Sequence, residues 1–130
     1  MTTIIYKERR YDMLDPKKQK KIASMVKHHR WTKISKELKK ADSAAKEEFA
    51  KELGIDRHIN NINFLQMLLD DPDDNVKMEA VKALGNFDSD SAKTFLQNFL
   101  MNLPKEKVEL EKATREAISR INGELAKKED

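Results

Sequence analysis

The sequence predicts an all-α fold, a solenoid of helical hairpins stacked behind an amino-terminal capping helix. Three observations carry that expectation. The stretch Asp70 to Phe87, DDPDDNVKMEAVKALGNF, reads as a complete turn-then-helix unit. The unit is echoed on both sides at a nearly constant spacing. The three glycines and three prolines all fall at expected helix ends, starts or turns, and no stretch alternates in the way a strand does.

The unit is specified by local chemistry. Pro72 sits where a preceding helix must stop, and Asp73 or Asp74 can accept hydrogen bonds from the orphan amides of the next helix. Val76, Ala80, Ala83, Leu84 and Phe87 then fall on one stripe of a 3.6-residue helix. Such a stripe needs a neighbour. Ile62, Phe64, Leu65, Leu68 and Leu69 in the preceding segment supply it, so the two helices form a hairpin.

A shift back by 31 residues places Ile34 under Leu65, Leu38 under Leu69, Ala45 under Val76, Phe49 under Ala80, Leu53 under Leu84 and Gly54 under Gly85. A shift forward by 31 places Phe95, Leu96 and Leu100 under Phe64, Leu65 and Leu69. After a longer turn containing Pro104 the offset becomes 34, and Leu110, Ala117, Ile118 and Ile121 match Val76, Ala83, Leu84 and Phe87. Thr114 and Ser119 stand where the central copy has Ala80 and Gly85. Self-similarity at this period is the mark of a solenoid, in which each hairpin buries its stripe against the next.

In chain order, residues 1 to 14 scatter apolar side chains among charges and read as a short helix or a packed extension. Asp15 and Pro16 start a helix that runs to about His29, with Ile22, Met25, Val26 and His29 on one face. It is the expected cap, and residues 1–30 form a basic extension plus this cap. The first hairpin spans 31–54, with Asp42 or Ser43 capping its second helix and Gly54 ending it. The second spans 58–87. The third spans 89–123, its second helix expected from Pro104 and closed by Gly123, with a charged tail over 124–130. All of it fits one domain.

The run LLDDPDDNVKMEAVKALG at 68 to 85 resembles the HEAT repeat, in particular the short bacterial HEAT-like form of phycobilisome lyase subunits, in the armadillo-type superfamily. The resemblance rests on Asp71 and Pro72, the Val76 and Lys77 pair, Ala80, and the Ala83, Leu84, Gly85 ending. The outer copies depart from it: Ala41 replaces the turn proline in the first, and Leu110 and Glu111 replace the Val and Lys pair in the third. The tetratricopeptide and ankyrin signatures are absent. The resemblance implies a right-handed α-solenoid of about three hairpins acting as a protein-binding scaffold. It also brings a further alternative, an accessory or lyase-like subunit of an enzyme complex, but carries over no catalytic residue.

Composition limits the chemistry. Charged residues make up 38% and aromatics 6%, which suits a narrow helical array with much surface. With no cysteine there is neither disulfide, thiolate metal site nor thiol nucleophile. No apolar run reaches the ~18 residues of a membrane span, and MTTIIYKERR lacks the order of a signal peptide, so a cytoplasmic, monomeric protein is expected. Read as a calcium loop from Asp71, the acidic cluster has Val76 and Lys82 where Gly and Glu are needed; its reading is capping and turn solvation. His28 and His29 point ~100° apart on a helix and cannot pinch one ion. No metal, no cofactor and no catalytic residue is expected, and the chain is read as no enzyme. Trp31 is expected to pack between the cap and the first hairpin rather than to stack on a ligand.

Charge is uneven. Residues 1–40 hold 13 Lys and Arg against 4 Asp and Glu, and the remainder 13 against 19. A basic patch of Lys17, Lys18, Lys20, Lys21, Lys27 and Arg30 therefore offers an alternative function, nucleic-acid binding, weighed against an ordinary solvated face. The principal expectation is a scaffold for another protein. Helix phase sets Met78, Lys82 and Gly85 opposite the core stripe and facing outward; the resemblance to HEAT repeats implies that second helices line the concave side, so that Met78 and Lys82 point into the groove. Carrying Met78 and Lys82 to the other copies gives a strip of Glu47, Lys51, Met78, Lys82, Lys112 and Glu116 as the expected binding surface.

Overall fold

The structure, a computed structural model, describes residues 14–129 and contains seven α-helices and no strand among them. Helix α1 (Pro16–Lys27) begins with Asp15, whose carboxylate accepts from the Lys18 N–H at 2.9 Å, and with Pro16 at the first helical position. The first hairpin is α2 (Trp31–Lys40) and α3 (Ser43–Asp56), the latter capped by Asp42, which accepts from the Ala45 N–H at 2.9 Å. The second is α4 (Asn61–Leu69) and α5 (Asp74–Leu84), with Asp73 accepting from the Asn75 N–H at 2.8 Å. The third is α6 (Asp90–Met101), capped by Ser89, and α7 (Val108–Glu129).

The hairpins stack in two layers. The cap α1 and the second helices α3, α5 and α7 lie side by side, α3 against α5 most extensively, while α2, α4 and α6 form a second, more widely spaced layer. The exposed side of this closely packed layer is termed the inner face. The chain is thus an α-solenoid. One continuous core runs between the layers: Ile34 and Leu38, Phe49 and Leu53, Leu65 and Leu69, Val76, Ala80 and Leu84, then Leu96, Ala117 and Ile121 are all buried. The anticipated stripe Val76, Ala80, Ala83, Leu84, Phe87 is buried throughout, and Val81 joins it, because α5 has neighbours on three sides. Ile118, the counterpart of Leu84, is only partly buried, since no further second helix packs beyond α7 among the described residues. Thr114, in the place of Ala80, is fully buried and donates its hydroxyl to the Leu110 carbonyl at 2.6 Å.

Three boundaries differ from expectation. Gly54 does not end its helix. The helix runs on to Asp56 and stops at Arg57, which adopts the left-handed region at φ 60° and returns its N–H to the Leu53 carbonyl at 3.3 Å. Gly123 does not close α7, which continues to Glu129: with no positive-φ glycine and no proline in the way, good helix formers carry it through the segment expected as a tail. Pro104 does not start α7. Its carbonyl accepts from the Lys107 N–H at 3.0 Å in a turn, and the helix begins at Val108. The expectation for residues 1–14 lies outside the described residues except at Leu14, which is buried in the core.

The cap is tied on by a ring cluster around Trp31. Trp31, expected between cap and first hairpin, also reaches further. It stacks on His29 (centroids 4.8 Å, 13°), with His58 tilted against both rings and Phe64 beyond at 6.4 Å, so it reaches into the second hairpin. His29, in the left-handed region at φ 52°, donates through Nε2 to Asp56 at 3.1 Å. Asp56 also accepts from the buried Asn61 amide at 3.0 Å, and the same amide reaches the Leu53 carbonyl at 3.0 Å. One polar chain thus joins the α1–α2 turn, the end of α3 and the start of α4.

Candidate recognition surface

The acidic turn of the central hairpin is the first element that positions a surface. Asp71 is buried and accepts from the Lys46 ammonium of α3 at 2.6 Å and from the Asp73 N–H at 3.0 Å, fastening the second hairpin to the first. Asp74 accepts from Lys107 at 2.6 Å, fastening the third to the second. That bond and the attraction of Asp74 hold the Lys107 ammonium above its ordinary pKa of 10.5. The cluster's carboxylates therefore serve turns, caps and ties between hairpins.

Close approach of the second helices builds the inner face. A β-carbon on Gly54 would meet Ala83 Cβ at 2.7 Å, and one on Gly85 would meet Ala117 Cβ at 2.9 Å. Asn86 donates to the Gly54 carbonyl and Arg120 to the Lys82 carbonyl, each at 3.3 Å, so the ends of α3 and α5 are each held by the next hairpin. Gly85 was expected to face outward. It is buried instead, because it is where α7 packs on α5.

Two depressions on this face border Lys82. One, of about 700 Å³, runs between α5 and the start of α7, where Met78, Lys82 and Asn75 face Lys107, Val108 and Glu109. The other, of about 360 Å³, is lined by Lys51 and Ile55 of α3, Glu79, Lys82 and Asn86 of the second hairpin, and Arg120 of α7. Lys82 borders both, with its ammonium 3.7 Å from Glu79. The structure therefore brings Met78 together with Lys82, and Lys51 with Lys82. Lys112 and Glu116 are exposed on α7, and Glu47 is half-buried on α3.

Sequence reading missed Ile55 and Arg120. Ile55 is 70% exposed in the second depression. A helix ending at Gly54 leaves Ile55 out; the helix phase continued past that glycine places it one turn beyond Lys51 on this face. At the cap end, Lys17, Lys18, Lys20, Lys21, Lys27 and Arg30 are all exposed, and Lys18 and Lys21 border a slot between α1, α2 and α3. Burial pushes the Glu52 carboxyl on α3 up from its ordinary value of 4.5, aided by the negative charge of Glu48. No helix is long and apolar enough to cross a membrane among the described residues. The inner face offers ion pairs, hydrogen bonds and apolar contact, the chemistry of recognition.

No curated protein and no solved structure matches the chain. The family model of HEAT repeats matches residues 32–119 of the 130, from the start of the first hairpin into the last helix. Stacked hairpins, inter-hairpin ties and this match, over more than half of the sequence, agree: the chain belongs to the HEAT-repeat family.

Proposed function

We propose that this chain is a non-enzymatic scaffold that binds another protein through the inner face of its solenoid. HEAT repeats generally serve as protein-interaction scaffolds. The observation that supports this face is the depression around Ile55, because its lining comes from all three hairpins, Lys51 and Ile55 from the first, Lys82 from the second and Arg120 from the third. An isoleucine 70% exposed within a ring of charge suits a partner's apolar side chain, with the lysines and the arginine setting orientation. Met78 and Lys82 extend the same surface.

The test is capture of partners from lysate on the immobilised chain, repeated with a Met78→Glu, Lys82→Glu variant whose melting temperature has been checked. A partner that the wild type retains and the folded variant loses supports the inner face. Retention at full affinity excludes it. A second reading, nucleic acid on the basic end, is favoured by the exposure of all six cations there. It requires duplex or single-strand binding whose affinity falls steeply with salt, by a log–log slope of about −0.9 per neutralised phosphate on duplex DNA.

A further inference from the structure

We infer that the slot between α1, α2 and α3 is a second recognition site, separate from the inner-face depressions, for an acidic peptide segment carrying one bulky apolar side chain. The slot holds about 290 Å³, room for a single large side chain. Ile22 and Met25 of α1 and Ala45 and Phe49 of α3 form its floor; Lys18, Lys21 and Lys40 stand on its rim.

The slot lies where the tie between hairpins is replaced. In the second hairpin the turn is fastened to the helix before it by Asp71 and Lys46. The residues 31 positions earlier are Lys40 and Asp15, the reverse charges. Asp15 is occupied as the cap of α1, and Lys40 lies 3.7 Å from Glu37 of its own helix. The turn proline is absent too, since Ala41 stands in the place of Pro72. The first turn is thus left without that link to α1, and the opening at this junction is the slot.

Its charge selects an anion. Residues 14–40 hold ten Lys and Arg (17, 18, 20, 21, 27, 30, 33, 36, 39 and 40) against Asp15 and Glu37. The two carboxylates at the slot are engaged, Glu37 near Lys40 and Asp42 as the cap of α3, and no described carboxylate pairs with Lys18 or Lys21. The floor selects a peptide over a nucleic acid. A single-strand binder offers exposed aromatic faces for bases, whereas Phe49 is 1% exposed and the Ile22 and Met25 beside it in the lining carry no ring. A leucine or phenylalanine among carboxylates uses both the floor and the rim.

The experiment is fluorescence anisotropy on the full chain at moderate salt, with three labelled probes: a short Glu- and Asp-rich peptide with a central Phe, the same peptide with Ser in its place, and a single-stranded oligonucleotide of equal charge. The Phe peptide is expected to bind about tenfold or more tightly than the Ser peptide, and the oligonucleotide no better than the Ser peptide. Lys18→Glu with Lys21→Glu abolishes binding, Ala45→Leu fills the slot and removes the Phe advantage, and Ile55→Glu with Lys82→Glu on the inner face leaves it intact. Equal binding of the two peptides, or tighter binding of the oligonucleotide, overturns the inference. Undiminished binding of the Phe peptide by the folded Lys18→Glu, Lys21→Glu variant, or its loss in the folded inner-face variant, overturns the inference as well; Lys18→Gln with Lys21→Gln serves where the charge reversal fails to fold.

Discussion

Gly54 and Ala83 lie so close that a β-carbon on the glycine would sit 2.7 Å from Ala83 Cβ and 2.9 Å from Ala83 Cα. Gly85 and Ala117 repeat the relationship one hairpin later, at 2.9 Å and 3.1 Å. Both glycines are therefore steric requirements of stacking. Gly54→Ala and Gly85→Ala should each cost about 1–3 kcal/mol, because backbone rather than a flexible tip blocks the added methyl. Gly123 meets nothing within 4 Å, so Gly123→Ala inside α7 should gain about 0.5–1 kcal/mol. Urea unfolding of the three variants checks the contrast.

Leu84 is fully buried and Lys82 is exposed, two residues apart on α5. Leu84→Asp should unfold the domain, since an unpaired buried carboxylate costs several kcal/mol against a total of about 5–15 kcal/mol. Lys82→Asp should fold. Equal circular dichroism melts for the two would contradict the helix phase.

The two ties between hairpins should differ in weight. Lys46→Met leaves the Asp71 carboxylate, 7% exposed, without its cation, and should cost about 3 kcal/mol. Lys107→Met removes a pair whose members are 41% and 44% exposed, and should leave the melting temperature near that of the wild type. Thermal melts of the two single variants measure the difference.

Glu52 gives the stability a pH dependence of known sign. Its folded pKa lies above the unfolded value, so the fold binds the proton more tightly, and this group destabilises progressively as pH rises from about 4.5 through the folded value. Glu52→Gln should raise the melting temperature at pH 7 relative to the wild type, with the advantage gone below the carboxylate range. Melts across pH 3 to 8 test it.

Much of this architecture was legible because it is local. Asp15 with Pro16, Asp42 and Asp73 announce three helix starts, and the spacing from Val76 to Phe87 announces a buried face. Neither Gly54 nor Gly123 ends its helix, because a glycine is compatible with a turn, with a close approach as at Gly54, or with an open helix surface as at Gly123, and the neighbouring helix decides which. Losing the last turn of α3 hid Ile55, and with it the centre of the inner-face depression. The ring cluster was illegible for a different reason: His29, Trp31, His58 and Phe64 meet only once the second hairpin folds back beside the cap. The slot at the cap depends on a reversal of charge, Lys40 against Asp71, that acquires meaning only when the Lys46 partner is known.

Stacking of the hairpins is the central claim, since the inner face exists only through it, and zero-length carbodiimide cross-linking followed by peptide mass spectrometry measures it without any substitution. The account predicts an intramolecular isopeptide bond between Lys107 and Asp74, whose charged atoms lie 2.6 Å apart across two hairpins, in the untreated fold and its loss in urea. Absence of that link from the folded monomer, with Lys107 joined instead to carboxylates of the first hairpin, would contradict it.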